Sequence, residues 1–145
     1  MNAFNIGKKI RGSMRNVKAY ISQELKNHNI SEGQFEYFLM IYENEGINQK
    51  DLADLMNVGK ASVTKSAKKL LEEGLIERKV NEKDQRNYGL YISEKGKSYS
   101  ELFKLISTEI TKTVFKDFSI DEIEDLQHLL SKLEKNSKNF NMKND

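Results

Sequence analysis

The chain has 145 residues, enough for one domain that buries about 70% of its unfolded surface on folding. It carries 24 Lys and Arg against 22 Asp and Glu, so any affinity for nucleic acid must come from where the charge sits, not from its amount. Cysteine is absent and the only histidines, His28 and His128, lie far apart in sequence, which excludes disulfides and thiolate chemistry and leaves no convincing metal site.

With no proline in the chain, long unbroken helices are easy to form. Ile6, Ile10, Met14, Val17, Ile21 and Leu25 recur every three or four residues, predicting an amphipathic helix from Phe4 to Lys26. Ser31 and Gln34 form a capping-box pair that opens a second helix through Phe35, Phe38, Leu39 and Tyr42, stopping near Gly46. Asn48 with Asp51 starts a short third helix carrying Leu52, Ala53 and Leu55. After Asn57-Val58-Gly59 a fourth helix follows, with Val63, Ala67, Leu70 and Leu71 as its buried positions and Gly74 as its stop.

Two β-prone runs, Leu75–Val80 and Tyr88–Ile92, flank the polar segment NEKDQRN and predict a hairpin. Ser93, with Glu94 and Lys95, opens a long helix whose apolar stripe is Leu102, Phe103, Ile106, Ile110 and Val114. Ser119 with Glu122 opens the last one, through Ile123, Leu126, Leu129, Leu130 and Leu133. The Asn/Lys-rich tail is expected to fray.

The fold class is therefore mainly α with a small β-hairpin wing, in the order α-α-α-α-β-β-α-α. A short helix, a tight turn, a basic helix and a hairpin make a winged helix-turn-helix. We expect one domain over 1–145: residues 31–92 as the winged lobe, 93–114 as a connecting helix, and 1–30 with 115–145 as dimerisation helices. The end helices have apolar stripes too long to be covered by the lobe alone, and a closed two-fold dimer would bury them.

Charge is segregated along the chain. Residues 1–30 hold six bases and one acid, and residues 31–47 hold four glutamates and no base. Lys60, Lys65, Lys68 and Lys69 form an acid-free block. If Val63, Ala67, Leu70 and Leu71 face the core, the opposite face presents Lys60, Ala61, Ser62, Thr64, Lys65 and Lys68, with Lys69 to one side. Short hydroxyls read base edges in a major groove, and lysines reach phosphates or guanine acceptors. In the hairpin loop Asp84 and Arg86 share a face of an extended chain, so the carboxylate can orient the guanidinium toward a phosphate or a narrow minor groove. Lys83 adds to that charge and Glu82 subtracts from it.

The pieces DLADLMNV, SVTK, KLLEEGLIER, DQR and YISEKGK, with ISEGQFEYFLMI upstream, resemble the MarR family of winged-helix transcriptional regulators over about residues 30–97. The resemblance implies a homodimer on a pseudo-palindromic double-stranded DNA operator, usually a repressor and often released by small aromatic acids or other amphipathic ligands. Gly59 stands where the family commonly has a serine N-cap, which glycine replaces with little loss. Lys65 stands where arginine is frequent, exchanging a bidentate fork for a point charge. The lack of cysteine removes the family's peroxide-sensing branch, and scarce histidine disfavours its zinc-sensing branch.

The resemblance also implies an effector cleft where the dimer helices meet the lobe. On the first helix Arg11, Arg15 and Lys18 form a basic row beside the apolar stripe. Arg15 is the expected anchor for an aromatic carboxylate, flanked by Met14 and by Tyr37 or Phe38.

An enzyme is disfavoured, since no histidine lies near a Ser or Asp motif and no Gly-rich phosphate loop exists. No cofactor is expected. The other reading is a winged-helix module that binds a partner protein, against which the lysine block argues, because protein interface cores are depleted in lysine. The longest apolar run, Tyr37–Tyr42, is far short of a membrane span, and MNAFNIGKKI lacks a hydrophobic signal core, which predicts a cytoplasmic protein.

Overall fold

The computed structural model of the chain describes residues 2–80 and 88–142. The elements are α1 (Ala3–Glu24), α2 (Glu32–Glu43), α3 (Gln49–Met56), α4 (Lys60–Glu72), β1 (Ile76–Val80), β2 (Tyr88–Ile92), α5 (Glu94–Val114), α6 (Ile120–Ser137) and a short α7 (Asn139–Met142). The order matches the mainly helical fold with a hairpin wing; α7 falls in the tail expected to fray. No helix among the described residues is long and apolar enough to cross a membrane.

Contacts divide the chain into two compact units, Met1–Ser107 and Thr108–Asp145. The boundary falls inside α5, not at a linker. In the first unit α2, α3 and α4 pack on one another and on the hairpin, and α1 meets α2. The core is aromatic where α2 meets α5. Phe103 lies edge-on to Phe38 and Phe35, with ring centroids 4.6 and 5.1 Å apart, the T-shaped geometry that ring quadrupoles favour.

Local chemistry sets the helix ends. The Ser31 hydroxyl accepts from the Gln34 amide at 3.3 Å, while the Gln34 side chain accepts from the Ser31 amide at 2.8 Å. Helix α2 stops at Glu43, just before the expected stop near Gly46, where the chain turns so that Ile47 pairs with Leu90. The Gly46 amide donates to the Leu90 carbonyl at 2.8 Å and the Leu90 amide donates to Ile47 at 2.9 Å. A single-residue third strand thus borders the sheet, in which β1 and β2 run antiparallel with Ile76 opposite Ile92 and Val80 opposite Tyr88.

The turn after α4 is held from α5. Gly74 adopts a left-handed φ of 72°. Its carbonyl accepts from the Ser93 hydroxyl, which in turn accepts from the Gly96 amide at 2.9 Å. The Lys95 ammonium donates to the Glu73 carbonyl at 2.7 Å, a cation at the carbonyl end of α4. A Cβ on Gly96 would overlap the Leu75 carbonyl, so glycine is required for this approach.

Burial along α1 is graded: Ile6 and Met14 are exposed, Ile10 and Val17 are partly buried, and Ile21 and Leu25 are buried. In the second unit, Phe115 and Phe118 meet edge-on at 5.5 Å before the Ser119–Glu122 capping box that opens α6. Ile123 and Leu126 are partly buried, whereas Leu129, Leu130 and Leu133 are exposed.

Candidate nucleic-acid interface

Helix α4 has two faces. Val63, Ala67 and Leu70 are fully buried, and Leu71, expected to join them, is only partly so. Lys60, Ala61, Ser62, Thr64, Lys65, Lys68 and Lys69 are all exposed, so the lysine block and the short side chains share the solvent side of one rigid helix. Its N-cap is Gly59, which offers no side-chain acceptor. The amides of Lys60 and Ala61 thus have no side-chain cap, while the Ser62 amide donates to the Gly59 carbonyl at 3.1 Å.

Thr64 has a second task. Its hydroxyl donates to the Lys60 carbonyl at 3.0 Å, with Gln49 Oε1 of α3 at 3.3 Å. The single hydroxyl proton is engaged within the protein. Lys68 lies 3.9 Å from Glu72, an exposed pair worth little in water. The helix is seated on α2 partly through Tyr37, which hydrogen-bonds Ser66; burial pushes the phenol above its ordinary pKa and that hydrogen bond works against the shift.

Among the described residues, two recesses border α4. One, of about 280 Å³, is lined by Asn48, Gln49, Lys50, Lys60, Arg78, Tyr88 and Leu90. Three cations from three elements converge there, and the Arg78 guanidinium sits 5.6 Å from the Tyr88 ring centroid, which holds it against the base of the wing. The other, of about 240 Å³, joins Ser31, Gly33 and Gln34 at the start of α2 to Ser62, Lys65, Ser66 and Lys69. Sequence reasoning missed Lys50, Arg78 and Tyr88. They are distant in the chain and meet only because the hairpin folds against α3.

Lys83, Asp84 and Arg86 of the wing loop, with Glu82, lie outside the described residues. The residues expected around an effector lie apart from one another. Tyr37 is 7% exposed and faces Ser66, while Phe38 is fully buried against Phe103. Arg15 follows Met14 by one residue, which is about 100° around the helix, and so leaves the apolar face. A cavity of about 210 Å³ between α1 and α2 is lined instead by Met14, Val17, Lys18, Ile21, Phe35, Leu39 and Met40, with Glu32, Gly33 and Glu36. Arg15 lines a separate groove with Asn5, Lys8, Lys9 and Gly12.

A short helix, a turn, a lysine-faced helix and a hairpin packed against both define a winged helix-turn-helix. The chain matches the MarR family over residues 30–88. An HTH-type transcriptional regulator of Bacillus subtilis, YybA, is 31% identical over 113 residues, covering 78% of this chain and 75% of that protein. A MarR protein from Peptoclostridium difficile superposes with a TM-score of 0.81 at 29% identity, covering 97% and 92% of the two chains. A putative MarR family regulator from Listeria monocytogenes, solved with a 26mer DNA, superposes at 0.76 with 29% identity over 94% and 88%. This chain belongs to the MarR family of transcriptional regulators.

Proposed function

We propose that this protein binds a pseudo-palindromic double-stranded DNA operator as a homodimer and represses transcription there. The observation that carries the reading is α4: a helix buried along Val63, Ala67 and Leu70 that turns four lysines and Ser62 outward. In this reading α4 enters the major groove, where Ser62 and Lys65 meet base edges and Lys60, Lys68 and Lys69 meet phosphates. Lys50 and Arg78 hold a phosphate beside the bare N-terminus of α4. Arg86, oriented by Asp84 and assisted by Lys83, supplies a cation to the adjacent minor groove.

The dimer is supported by the exposed apolar residues of both chain ends, Ile6 and Met14 on α1 and Leu129, Leu130 and Leu133 on α6. Exposed apolar surface on each of these helices marks an interface. The two recognition helices then lie about 34 Å apart, one turn of DNA. The protein acts in the cytoplasm. A small amphipathic effector, such as an aromatic acid, would lodge in the α1–α2 cavity with Lys18 in place of Arg15 as its anchor. It releases the operator only through a difference in affinity for the two states.

Selection of bound duplexes from a random library tests the reading. The expected product is an inverted repeat with half-sites one turn apart, whose binding weakens steeply between 50 and 200 mM salt. Recovery of no preferred sequence overturns it. Effector binding is read by titrating salicylate-like acids against wild type and Lys18→Ala, with and without the recovered operator. Equal binding by both removes Lys18 as the anchor.

A further inference from the structure

The face of α1 that carries Lys8, Lys9 and Arg15 has no role in the reading above. From Ala3 to Gln23 the helix carries Lys8, Lys9, Arg11, Arg15 and Lys18 and no acid; Glu24 is the first. At 100° per residue, Asn5, Lys8, Lys9, Gly12 and Arg15 fall within one 120° sector. That sector lies opposite the stripe of Ile6, Ile10, Met14, Val17 and Ile21. The same five residues line a groove of about 480 Å³. Lys8, Lys9 and Arg15 are exposed.

Two glycines in this helix have no packing reason within the chain. A Cβ on Gly7 or on Gly12 would meet nothing within 4 Å. Glycine weakens a helix interior by roughly 1 kcal/mol relative to alanine. At Gly12 its effect is to leave the groove floor as bare backbone between three cations. A floor of this kind lets an extended anionic strand approach closely.

We propose that the Lys8–Lys9–Gly12–Arg15 face of α1 is a second DNA-backbone site, which holds phosphates outside the base-reading contact of α4. The proposal rests on the DNA-binding reading. Charge complementarity selects the occupant: Lys8 and Arg15 are about 10 Å apart along the helix axis, a reach that spans neighbouring phosphates of one DNA strand. Because the basic face opposes the apolar stripe, pairing of that stripe with another chain leaves the face open. A lipid surface fits less well. A membrane-bound helix sinks its apolar face beneath its cations, whereas Ile21 and Leu25 of this stripe are buried within the protein.

The test compares wild type, a Lys8→Gln/Lys9→Gln/Arg15→Gln variant and a control of equal charge loss elsewhere, Lys112→Gln/Lys116→Gln/Lys132→Gln. Binding to long duplexes of random sequence is measured from 50 to 200 mM salt. Each phosphate contact contributes about 0.9 to the salt slope. The α1 variant should lose about 2 to 3 from the slope per bound protomer, and the control should behave as wild type. Gly12→Gln fills the groove at unchanged charge and should weaken binding several-fold, with helix content and oligomeric state intact.

Wild-type slope and affinity in both α1 variants overturn the inference, as does an equal loss in the control. Binding of wild type to phosphatidylserine vesicles, lost in the α1 variant while its DNA slope is unchanged, overturns it in favour of a lipid surface. Failure of wild type to bind any duplex sinks the DNA-binding reading itself, which separates the two failures.

Discussion

Helices α4 and α6 look alike on paper and end differently. Each has apolar residues at helical spacing with charge between them. In α4 the stripe of Val63, Ala67 and Leu70 is completely covered by neighbours in the same unit. In α6, Leu129 is 59% and Leu133 47% exposed. Periodicity shows that a helix has a face to bury but does not say against what. A stripe covered within the chain stabilises the fold at any concentration. An uncovered one does so only through a second molecule, so its contribution depends on concentration.

The sharpest way to break this contrast is to truncate side chains on each side of it. Phe103→Ala removes the ring that Phe35 and Phe38 pack against and should cost about 3–5 kcal/mol of unfolding free energy at every protein concentration. Denaturant unfolding at two concentrations reads it; a smaller loss at the higher concentration would mean that the aromatic cluster depends on assembly. Leu129→Ala with Leu133→Ala should instead leave the unfolding of a dilute sample nearly unchanged while weakening self-association. Burying a leucine contributes about 1.5–3 kcal/mol, so sedimentation should show the dimer dissociating at concentrations at least tenfold higher than for wild type. Unchanged self-association would mean that the α6 stripe is covered by something other than its own copy.

Within the interface, Lys65→Ala should cost about 1–3 kcal/mol on the preferred operator and relax its sequence preference. Arg78→Ala should weaken all duplexes alike and lower the salt slope by about 1. Identical profiles for the two would leave α4 with a positioning role only. The smallest effect concerns the bare start of α4. Gly59→Ser adds a side-chain acceptor and should stabilise the protein by a few tenths of a kcal/mol, read as a small rise in Tm. The new hydroxyl would compete for the amides offered to phosphate, so operator affinity should fall slightly as stability rises.

Whatever depends on neighbours within a few residues was readable from the chain. The capping boxes at Ser31 and Ser119, the cap at Asn48 and the stop at Gly74 are where residue chemistry puts them. Each is a contact between residues at most four apart, or a single backbone angle. The outward face of α4 was legible for the same reason, since helical geometry ties the exposed lysines to the buried Val63, Ala67 and Leu70.

Long-range pairing was not legible. Nothing near Ile47 announces a strand, because its partner Leu90 is 43 residues away and supplies both hydrogen bonds. Lys50 and Arg78 share a cleft only after the hairpin closes on α3. Arg15 reads as a neighbour of Met14, yet one step along a helix turns a side chain through about 100°. Tyr37 and Phe38 look like free aromatics, but α4 and α5 cover them. Sequence determined which residues cap, turn and alternate, because those are local equilibria. Tertiary structure decided which faces meet, because that depends on the shape of surfaces that exist only once the helices are in place.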